Sequence, residues 1–166
     1  MRTAVCSGSF DPITLGHLDI IRRTSVCFDQ VWVCVSPNAE KKSQMFTPNQ
    51  KLQLVEAAVA ELPNVRAELW PGLLADYAVE RGACAIVRGV RNGTDWDVER
   101  ELGRINADLR PGLETLLLAA AAEYEHFSSS MAREMIRYGE PLEKYLPAAV
   151  ASLAREMRNE TNREEA

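Results

Sequence analysis

Short apolar runs alternate with longer helical patterns along this chain. Five runs have the length and the valine, isoleucine and leucine content of buried strands, and they cover residues 3–6, 31–36, 65–69, 83–87 and 113–119. From Ser128 onward the pattern is helical only. Because strands joined by helical crossovers run parallel, the alternation predicts an α/β fold: a Rossmann-like, doubly wound, five-stranded parallel sheet with C-terminal helices.

The clearest helix signals follow Thr47 and Thr94. The first segment opens with "TPNQ", which combines a hydroxyl cap, a proline in the first turn and a glutamine three residues after the cap. Each segment then has apolar residues along one helix face, and these are Leu52, Val55, Val59 and Leu62 in the first and Val98, Leu102, Ile105 and Leu109 in the second. We expect both apolar stripes to face the core of the subunit.

Length and charge limit the function classes. A chain of 166 residues, 46% of them hydrophobic, is long enough for one compact domain, so we expect a single domain over residues 1–166 with a frayed polar tail over about 159–166. The net charge of -5 argues against a nucleic-acid partner. The sequence shows no membrane span and no signal peptide, which predicts a cytoplasmic protein with no membrane partner.

Cysteine and histidine spacing indicates no metal centre. The four cysteines form no C-x-x-C pair, and the two histidines, His17 and His126, are far apart and neither stands beside a cysteine pair. We therefore expect free, buried thiols and no metal ligands on the protein.

Chemically unusual clusters follow all five predicted strands. In chain order they are "SGSFDPITLGH", "PNAEKK", "PGLL", "RGVRNGTD" and "YEHFSSS". Because the carboxyl ends of parallel strands meet at one edge of the sheet, all five clusters are predicted to lie on the same rim, where open α/β sheets bind their ligands.

The first cluster has the chemistry of a phosphate site. Gly8 and Ser9 allow a tight turn and close approach of backbone amides, and Gly16 places His17 in the first turn of a helix, where an imidazole can donate to a phosphate oxygen. A capped helix start with an incidental histidine is the structural alternative. Asp11 is either a turn former or a water-mediated contact to magnesium.

Three further clusters offer positive charge or free amides. Lys41 and Lys42 are either solvated loop residues or a mobile charge over the crevice. Arg88 and Arg91 flank a glycine and either clamp phosphates or pair with the acids of "TDWDVERE". "SSSMAR" is a helix cap and a second anion site. Together the clusters favour a nucleoside triphosphate, although the sequence has neither a P-loop nor a G-x-G-x-x-G motif.

These motifs resemble a known enzyme family. "GSFDPITLGH" resembles the [T/H]-x-G-H signature of nucleotidyltransferases, with Thr14 first, and "SSSMAR" resembles their serine-rich signature. Within that superfamily the chain is similar to bacterial phosphopantetheine adenylyltransferases to about Leu153. The resemblance implies transfer of the adenylyl group of ATP, with Mg²⁺, to 4'-phosphopantetheine. The alternative is another small nucleotidyltransferase, such as a nicotinate-mononucleotide adenylyltransferase or a cytidylyltransferase.

The resemblance also implies site residues and partners. Catalytic roles fall on His17, Lys41, Arg91 and Ser129. The implied ATP contacts are Ser9, Phe10, His17, Gly89, Val90, Arg91, Glu99, Tyr124, Glu125, His126, Phe127, Ser128, Ser129 and Ser130. The implied phosphopantetheine contacts are Ser9, Lys41, Leu74, Arg88 and Asn106. Counting from Pro37 favours Lys41 over Lys42. A homohexamer inhibited by coenzyme A is implied as well.

Two positions depart from the family pattern. Ser7 stands where the family usually has proline, and Val98 stands where an aromatic residue is common. Trp96 lies off the apolar stripe of its predicted helix, among charged residues, as aromatic residues at protein contacts often do. The alternative is a tryptophan folded over the surface of its own domain.

Overall fold

The computed structural model describes residues 1–37 and 44–164. The strands are β1 (Thr3–Gly8), β2 (Gln30–Val35), β3 (Val65–Leu69), β4 (Ala85–Val90) and β5 (Glu114–Ala119). The helices are α1 (Leu15–Cys27), α2 (Pro48–Val59), α3 (Leu74–Glu80), α4 (Gly93–Leu109), α5 (Ser129–Tyr138) and α6 (Ala148–Glu164), with a 3₁₀ turn at Ala122–Tyr124. The predicted alternation of strands and helices, and the closing helices, are confirmed.

The five strands form one parallel sheet in the order β3-β2-β1-β4-β5. From β1 the chain moves outward to β3 and then returns to place β4 on the other side of β1. The direction of winding therefore reverses between β1 and β4, and a crevice opens outside the carboxyl ends of these two strands. This topology confirms the predicted doubly wound sheet.

The two faces of the sheet are covered unequally. Because side chains alternate along a strand, Ala4 and Cys6 point to one face of β1 and Val5 points to the other. The face of Ala4 is covered by α1, α2, α5 and α6 and has the larger core. The face of Val5 has a smaller core, centred on Ile86 of β4 and Tyr77 of α3.

Helix α2 begins as its sequence predicts. The Thr47 hydroxyl accepts from the Gln50 N–H, and the Gln50 side chain accepts from the Thr47 N–H at 2.9 Å, which completes a capping box. Val55 and Val59 are buried, and Leu52 and Leu62 pack against the same core. The predicted core stripe is confirmed for Leu52, Val55 and Val59, whereas Leu62 lies beyond the end of the helix at Val59.

The helix predicted after Thr94 is confirmed as α4, but the predicted burial of its apolar stripe is wrong. The four residues of its apolar stripe are exposed, with Val98 at 52%, Leu102 at 44%, Ile105 at 47% and Leu109 at 39%. The partly buried side of the helix instead holds polar and small residues, and these are Asp95, Glu99, Gly103 and Asn106.

The reason for this reversal is the contact between α4 and the edge strand β5. A Cβ on Gly103 would lie 3.0 Å from Thr115 Cβ, so the glycine side of the helix lies against the strand. The apolar side consequently points away from the sheet. Trp96, also on α4, is 48% exposed.

The structure also bears on the predictions for the C-terminal tail, the cysteines and membrane-spanning helices. Helix α6 continues to Glu164, so residues 159–164 are helical where a frayed tail was expected; the helix extends outward from buried residues that include Met157. All four cysteines are free, but Cys27 and Cys84 are exposed, because they stand at element ends and not within the core. Within the described ranges, no helix is long and apolar enough to cross a membrane.

Candidate active site

A cleft of about 270 Å³ opens at the carboxyl ends of β1 and β4. Its walls come from the turn after β1, the first turns of α1 and α4, the 3₁₀ turn and the start of α5. The predicted site residues that line it are Ser9, Phe10, His17, Gly89, Arg91, Glu99, Tyr124, Phe127, Ser128 and Ser129, together with Arg88. Three of the five clusters predicted to share one rim thus contribute residues to this cleft.

His17 is held by a second capping box. Thr14 is the N-cap of α1, and its backbone N–H donates to His17 Nδ1 at 3.1 Å while its hydroxyl accepts from the His17 N–H. The Phe10 ring, whose residue has a left-handed φ of 43°, packs edge-on against the imidazole with 5.3 Å between ring centroids. Gly16 lets the helix start lie close to the 3₁₀ turn, because a Cβ here would be only 3.3 Å from Tyr124 Cβ.

The histidine is neutral at physiological pH. Burial, and then the positive charges of Arg88 and Arg91, lower the pKa of His17 from 6.5 to about 4. A neutral imidazole carries one ring proton, and Nδ1 accepts from the Thr14 N–H, so the proton lies on Nε2. The side chain is therefore a donor toward the cleft at Nε2 without bringing a charge.

Arg88 stands between β1 and α4. Its Nε and Nη2 donate to the two carboxylate oxygens of Glu99 at 2.8 and 2.6 Å. Nη1 donates to the Ser7 hydroxyl at 2.7 Å and to the Ser7 carbonyl. The guanidinium is thus fixed by a bidentate ion pair with Glu99 and by two hydrogen bonds to Ser7.

Arg91 has the same kind of partner one turn away. Its Nε donates to Asp95 Oδ2 at 2.8 Å, and its Nη1 donates to the Phe127 carbonyl at 3.2 Å. The side-chain hydrogen bond from Arg91 is the main cause that lowers the pKa of Asp95. The two alternatives drawn from the sequence therefore do not exclude each other, because each arginine pairs with an acid of α4 and also lines the cleft.

The serine cluster at the start of α5 is a helix cap. Ser128 accepts from the Met131 N–H, Ser129 donates to the Pro12 carbonyl at 2.8 Å, and Ser130 accepts from Arg133. The three hydroxyls thus have partners within the protein. The amides of the first helical turn lack intrahelical acceptors, so the anion-binding capacity of this end lies in its backbone.

A second cleft adjoins the first. It measures about 210 Å³ and is lined by Ser7, Gly8, Ser9, Cys34, Ser36, Trp70, Gly72, Leu74 and Arg88. Four of these residues, Ser7, Gly8, Ser9 and Arg88, also line the first cleft. Burial is the main cause that raises the pKa of Cys34 to about 12, so this residue contributes a neutral thiol.

Several predicted site residues lie outside both clefts. Val90, Asn106, Glu125, His126 and Ser130 line neither of them. His126 packs its ring on Phe127, at 4.6 Å between centroids, and Ser130 bonds Arg133. Lys41 and Lys42 lie outside the described residues.

Some lining residues had no signal in the sequence. Trp70 and Cys34 belong to the second cleft only because β2 and β3 end beside β1. The one sequence feature that could have placed them on this rim is their position at the end of a predicted strand. Asp95 stood within the acidic run "TDWDVERE", and pairing of Arg91 with an acid of this run was one of two alternatives.

The acids near the clefts are already paired. Among the described residues, no group of three histidine, cysteine, aspartate or glutamate side chains could hold a metal ion. Asp95 and Glu99 bind arginines, and Asp11 accepts from the backbone of residues 45 and 46.

Comparison with known proteins gives consistent matches. A family model described as cytidylyltransferase-like matches residues 5–135. Phosphopantetheine adenylyltransferase from Corynebacterium diphtheriae is 42% identical over 152 residues, which cover 92% of this chain and 95% of the relative. The enzyme of the same name from Symbiobacterium thermophilum is 42% identical over 156 residues, covering 94% and 96%.

A solved structure supports the fold. It comes from Vibrio parahaemolyticus and is described as a "Putative Nicotinate-nucleotide Adenylyltransferase". It covers 93% of this chain and 99% of its own, with a TM-score of 0.64 and 18% sequence identity. At that identity the likeness shows a shared fold and leaves the substrate open.

Proposed function

This chain belongs to the phosphopantetheine adenylyltransferase family, and on that premise we propose that it transfers the adenylyl group of ATP to 4'-phosphopantetheine, releasing pyrophosphate and dephospho-coenzyme A. The observation that carries the proposal is the pair of adjoining clefts. A transfer between two substrates requires two sites that meet, and these clefts share Ser7, Gly8, Ser9 and Arg88 at the switch point of the sheet.

We assign ATP to the larger cleft. Its far wall is aromatic, with Tyr124 and Phe127 in contact with each other, which suits the adenine base. Its near wall supplies His17, Arg91 and the amide end of α5, which suit a triphosphate. Phosphopantetheine then occupies the smaller cleft, where Leu74 and Trp70 offer apolar surface and Arg88 stands at the border with the ATP cleft.

The proposed reaction needs no strong general base. A phosphate monoester is already an anion at neutral pH, so its oxygen attacks the α-phosphorus of ATP directly. A new P–O bond forms as the bond between the α-phosphorus and the oxygen bridging to the β-phosphate breaks, and that oxygen leaves with pyrophosphate. Catalysis then consists of alignment and stabilisation of the growing negative charge.

Four residues are proposed for that stabilisation. His17 donates from Nε2 to the phosphate undergoing transfer, and its neutral state keeps the proton on that atom. Arg91 contributes charge from a guanidinium that Asp95 orients. Ser129 contributes its backbone amide at the start of α5. Lys41 is proposed to neutralise the acceptor phosphate.

The lysine role has a built-in matched control, because Lys42 is the neighbouring residue. Lys41→Ala is expected to lower kcat at least about tenfold, since its charge would neutralise the negative charge of a reacting phosphate. Lys42→Ala should stay within about twofold of the wild type. Steady-state kinetics of the two variants compare them, and a reversed order would transfer the role to Lys42.

Mg²⁺ is proposed as part of the ATP substrate. The carboxylates near the clefts are engaged with arginines or backbone amides. The ligands of the ion would therefore come chiefly from the triphosphate. The ion would supply charge neutralisation on the phosphates. His17, Arg91 and the α5 amides would orient the same phosphates from the protein side.

The rival acceptors can be tested in one assay. Pyrophosphate release is measured with MgATP and either 4'-phosphopantetheine or nicotinate mononucleotide, and with CTP in place of ATP. We expect turnover with the first pair at least about a hundredfold above the others, because the unmatched acceptor leaves buried polar groups unpaired. Preferred turnover of nicotinate mononucleotide, or of CTP, would replace the proposal with the corresponding alternative.

A homohexamer is proposed for the assembly. The exposed apolar stripe of α4, together with Leu116 at 43% exposure on β5, is a surface that a second subunit would cover. Light scattering is expected to give about six times the 18.5 kDa chain mass at 150 mM salt, on the order of physiological ionic strength. A monomer at micromolar concentration would contradict this proposal.

Coenzyme A is proposed as a feedback inhibitor, since it contains the phosphopantetheine group and would compete for the smaller cleft. The enzyme is proposed to act in the cytoplasm, where ATP is available. Competition between coenzyme A and phosphopantetheine in the pyrophosphate assay tests the first of these proposals, and fractionation of cells tests the second.

A further inference from the structure

We propose that Asp11 is a positioning residue, whose buried carboxylate holds the turn after β1, the chain entering α2 and the first turns of α5 in one arrangement around the ATP cleft. This inference rests on the proposed function. It assigns a role to an acid that contacts neither cleft and that the sequence left between a turn former and a magnesium contact.

The carboxylate is buried and has several partners. Asp11 is 4% exposed. Its Oδ1 accepts from the Phe46 N–H at 3.0 Å, and its Oδ2 accepts from the Met45 N–H at 3.1 Å. Arg133 Nη1 lies 3.4 Å from Oδ2. Both oxygens are thus engaged by the protein, which argues against a magnesium contact.

These partners come from separate parts of the chain. Met45 and Phe46 lead into α2, whereas Arg133 lies on α5. Arg133 also donates to the Asp11 backbone carbonyl at 2.8 Å, and Ser129 donates to the carbonyl of Pro12 at 2.8 Å. Two hydrogen bonds and an ion pair therefore tie α5 to the turn, and the Asp11 carboxylate ties that turn to residues 45 and 46.

The turn transmits this constraint to the reacting groups. Phe10 precedes Asp11 and packs its ring on the His17 imidazole. Ser129, on the other side, carries one of the α5 amides proposed to bind phosphate. A shift of the turn would therefore change the distance between two groups that must contact the same triphosphate, and misplacement by about 1 Å can cost on the order of a hundredfold in rate.

The primary test is Asp11→Asn, which keeps the shape but removes the charge and one acceptor. The matched control is Asp29→Asn, because Asp29 is an exposed carboxylate that accepts from the Arg2 N–H at 2.6 Å, at the opposite end of β1. We expect Asp11→Asn to lower kcat about tenfold with KM for ATP changed less than about threefold, since alignment is lost while the binding groups remain. Asp29→Asn should change neither constant.

A second variant approaches the same contact from α5. Arg133→Gln removes the cation and leaves the Asp11 side chain in place. It therefore tests the same contact even where Asp11→Asn folds poorly. We expect the same loss of kcat, and the double variant should be no more than about twofold slower than either single one, because residues acting through one contact are not additive.

A readout independent of turnover separates this inference from the proposed function. In NMR spectra the His17 ring protons carry the ring-current shift of Phe10, and Asp11→Asn should move them while Asp29→Asn does not. A wild type inactive with phosphopantetheine would overturn the proposed function and leave this measurement standing. Unchanged His17 resonances, or a kcat within about twofold of the Asp29→Asn control, would overturn the role of Asp11.

Discussion

Helices α2 and α4 have the same apolar spacing and opposite surroundings. Both have apolar residues three or four positions apart along one side, and both cross over the parallel sheet. On α2 this side is buried against the sheet and α6, with Val55 fully inaccessible. On α4 it faces solvent in the subunit, with Val98 half exposed.

The difference follows from where each helix lies. Helix α2 covers the face that α1, α5 and α6 share, so neighbours surround its apolar side. Helix α4 meets the edge strand β5 through Gly103 and turns polar residues inward. Periodicity therefore predicts that an apolar face exists, whereas the sheet position decides whether the same subunit covers it.

The same difference extends to the cleft. The well-covered face supplies His17 on α1, fixed by a capping box and by Phe10. The open face supplies Asp95 and Glu99 on α4, which orient Arg91 and Arg88. In this arrangement the covered side carries the neutral donor, and α4 contributes the acids that fix the cationic groups.

The largest expected effect tests the covered side. His17→Ala should lower kcat about a hundredfold, because loss of one preorganised donor to a transition-state phosphate costs roughly 3 kcal/mol. Gln50→Ala is the matched control, since Gln50 holds the same capping-box position on α2, away from both clefts. Steady-state kinetics and thermal unfolding of both variants make the comparison.

Both substitutions should lower stability by a similar amount, about 1 kcal/mol for a lost cap contact. Only His17→Ala should lose activity. A loss of less than about threefold in kcat for His17→Ala would mean that the histidine serves the helix cap alone, and the covered face would then have no special part in catalysis.

Much of the fold followed from local patterns, and the errors came from long-range packing. The TPNQ capping box at Thr47 and the strand at residues 65–69 depend on neighbouring residues, and the structure has both. The orientation of α4 depends on β5, which follows it in the chain, so its own periodicity predicted the wrong partner for its apolar side.

The site divides in the same way. His17 and the serine cluster were recognisable because each is a helix start with its own motif. The burial of Asp11 was not, because its partners Met45 and Arg133 lie 34 and 122 positions away. Pairing of Arg88 with Glu99 remained one of two alternatives until the structure brought β4 and α4 together.

A pair of identical substitutions measures the comparison between the two helices directly. Val55→Ala should reduce the free energy of unfolding by about 2 kcal/mol, because two buried methyl groups are lost and a cavity remains. Val98→Ala should change the unfolding of the isolated subunit by less than about 0.5 kcal/mol, since its side chain is half exposed there.

The two variants should differ in the opposite direction in assembly. Val98→Ala is expected to shift light-scattering masses toward smaller species on dilution, while Val55→Ala keeps the wild-type mass at temperatures where it is folded. Urea unfolding at low protein concentration measures the free energy of unfolding of the isolated subunit. Equal stability losses in the two variants would show that α4 is covered within its own subunit after all.

The smallest expected effect concerns pH and returns to the covered face. The pKa of His17 is lowered from 6.5 to about 4 in the folded chain, so the unfolded chain binds the proton more readily. The stability that this histidine contributes is therefore complete above about pH 6.5 and is lost as the pH falls toward 4.

The test compares the wild type with His17→Gln, which keeps a capping side chain but does not titrate. Between pH 8 and pH 6 the free energy of unfolding of the wild type should fall by about 1 kcal/mol more than that of His17→Gln. All other titrating groups are common to both chains, so the difference between their unfolding free energies isolates His17. An equal loss in both would show that the fold does not lower the pKa of His17, and the contrast between the covered and the open face would then not extend to the cleft.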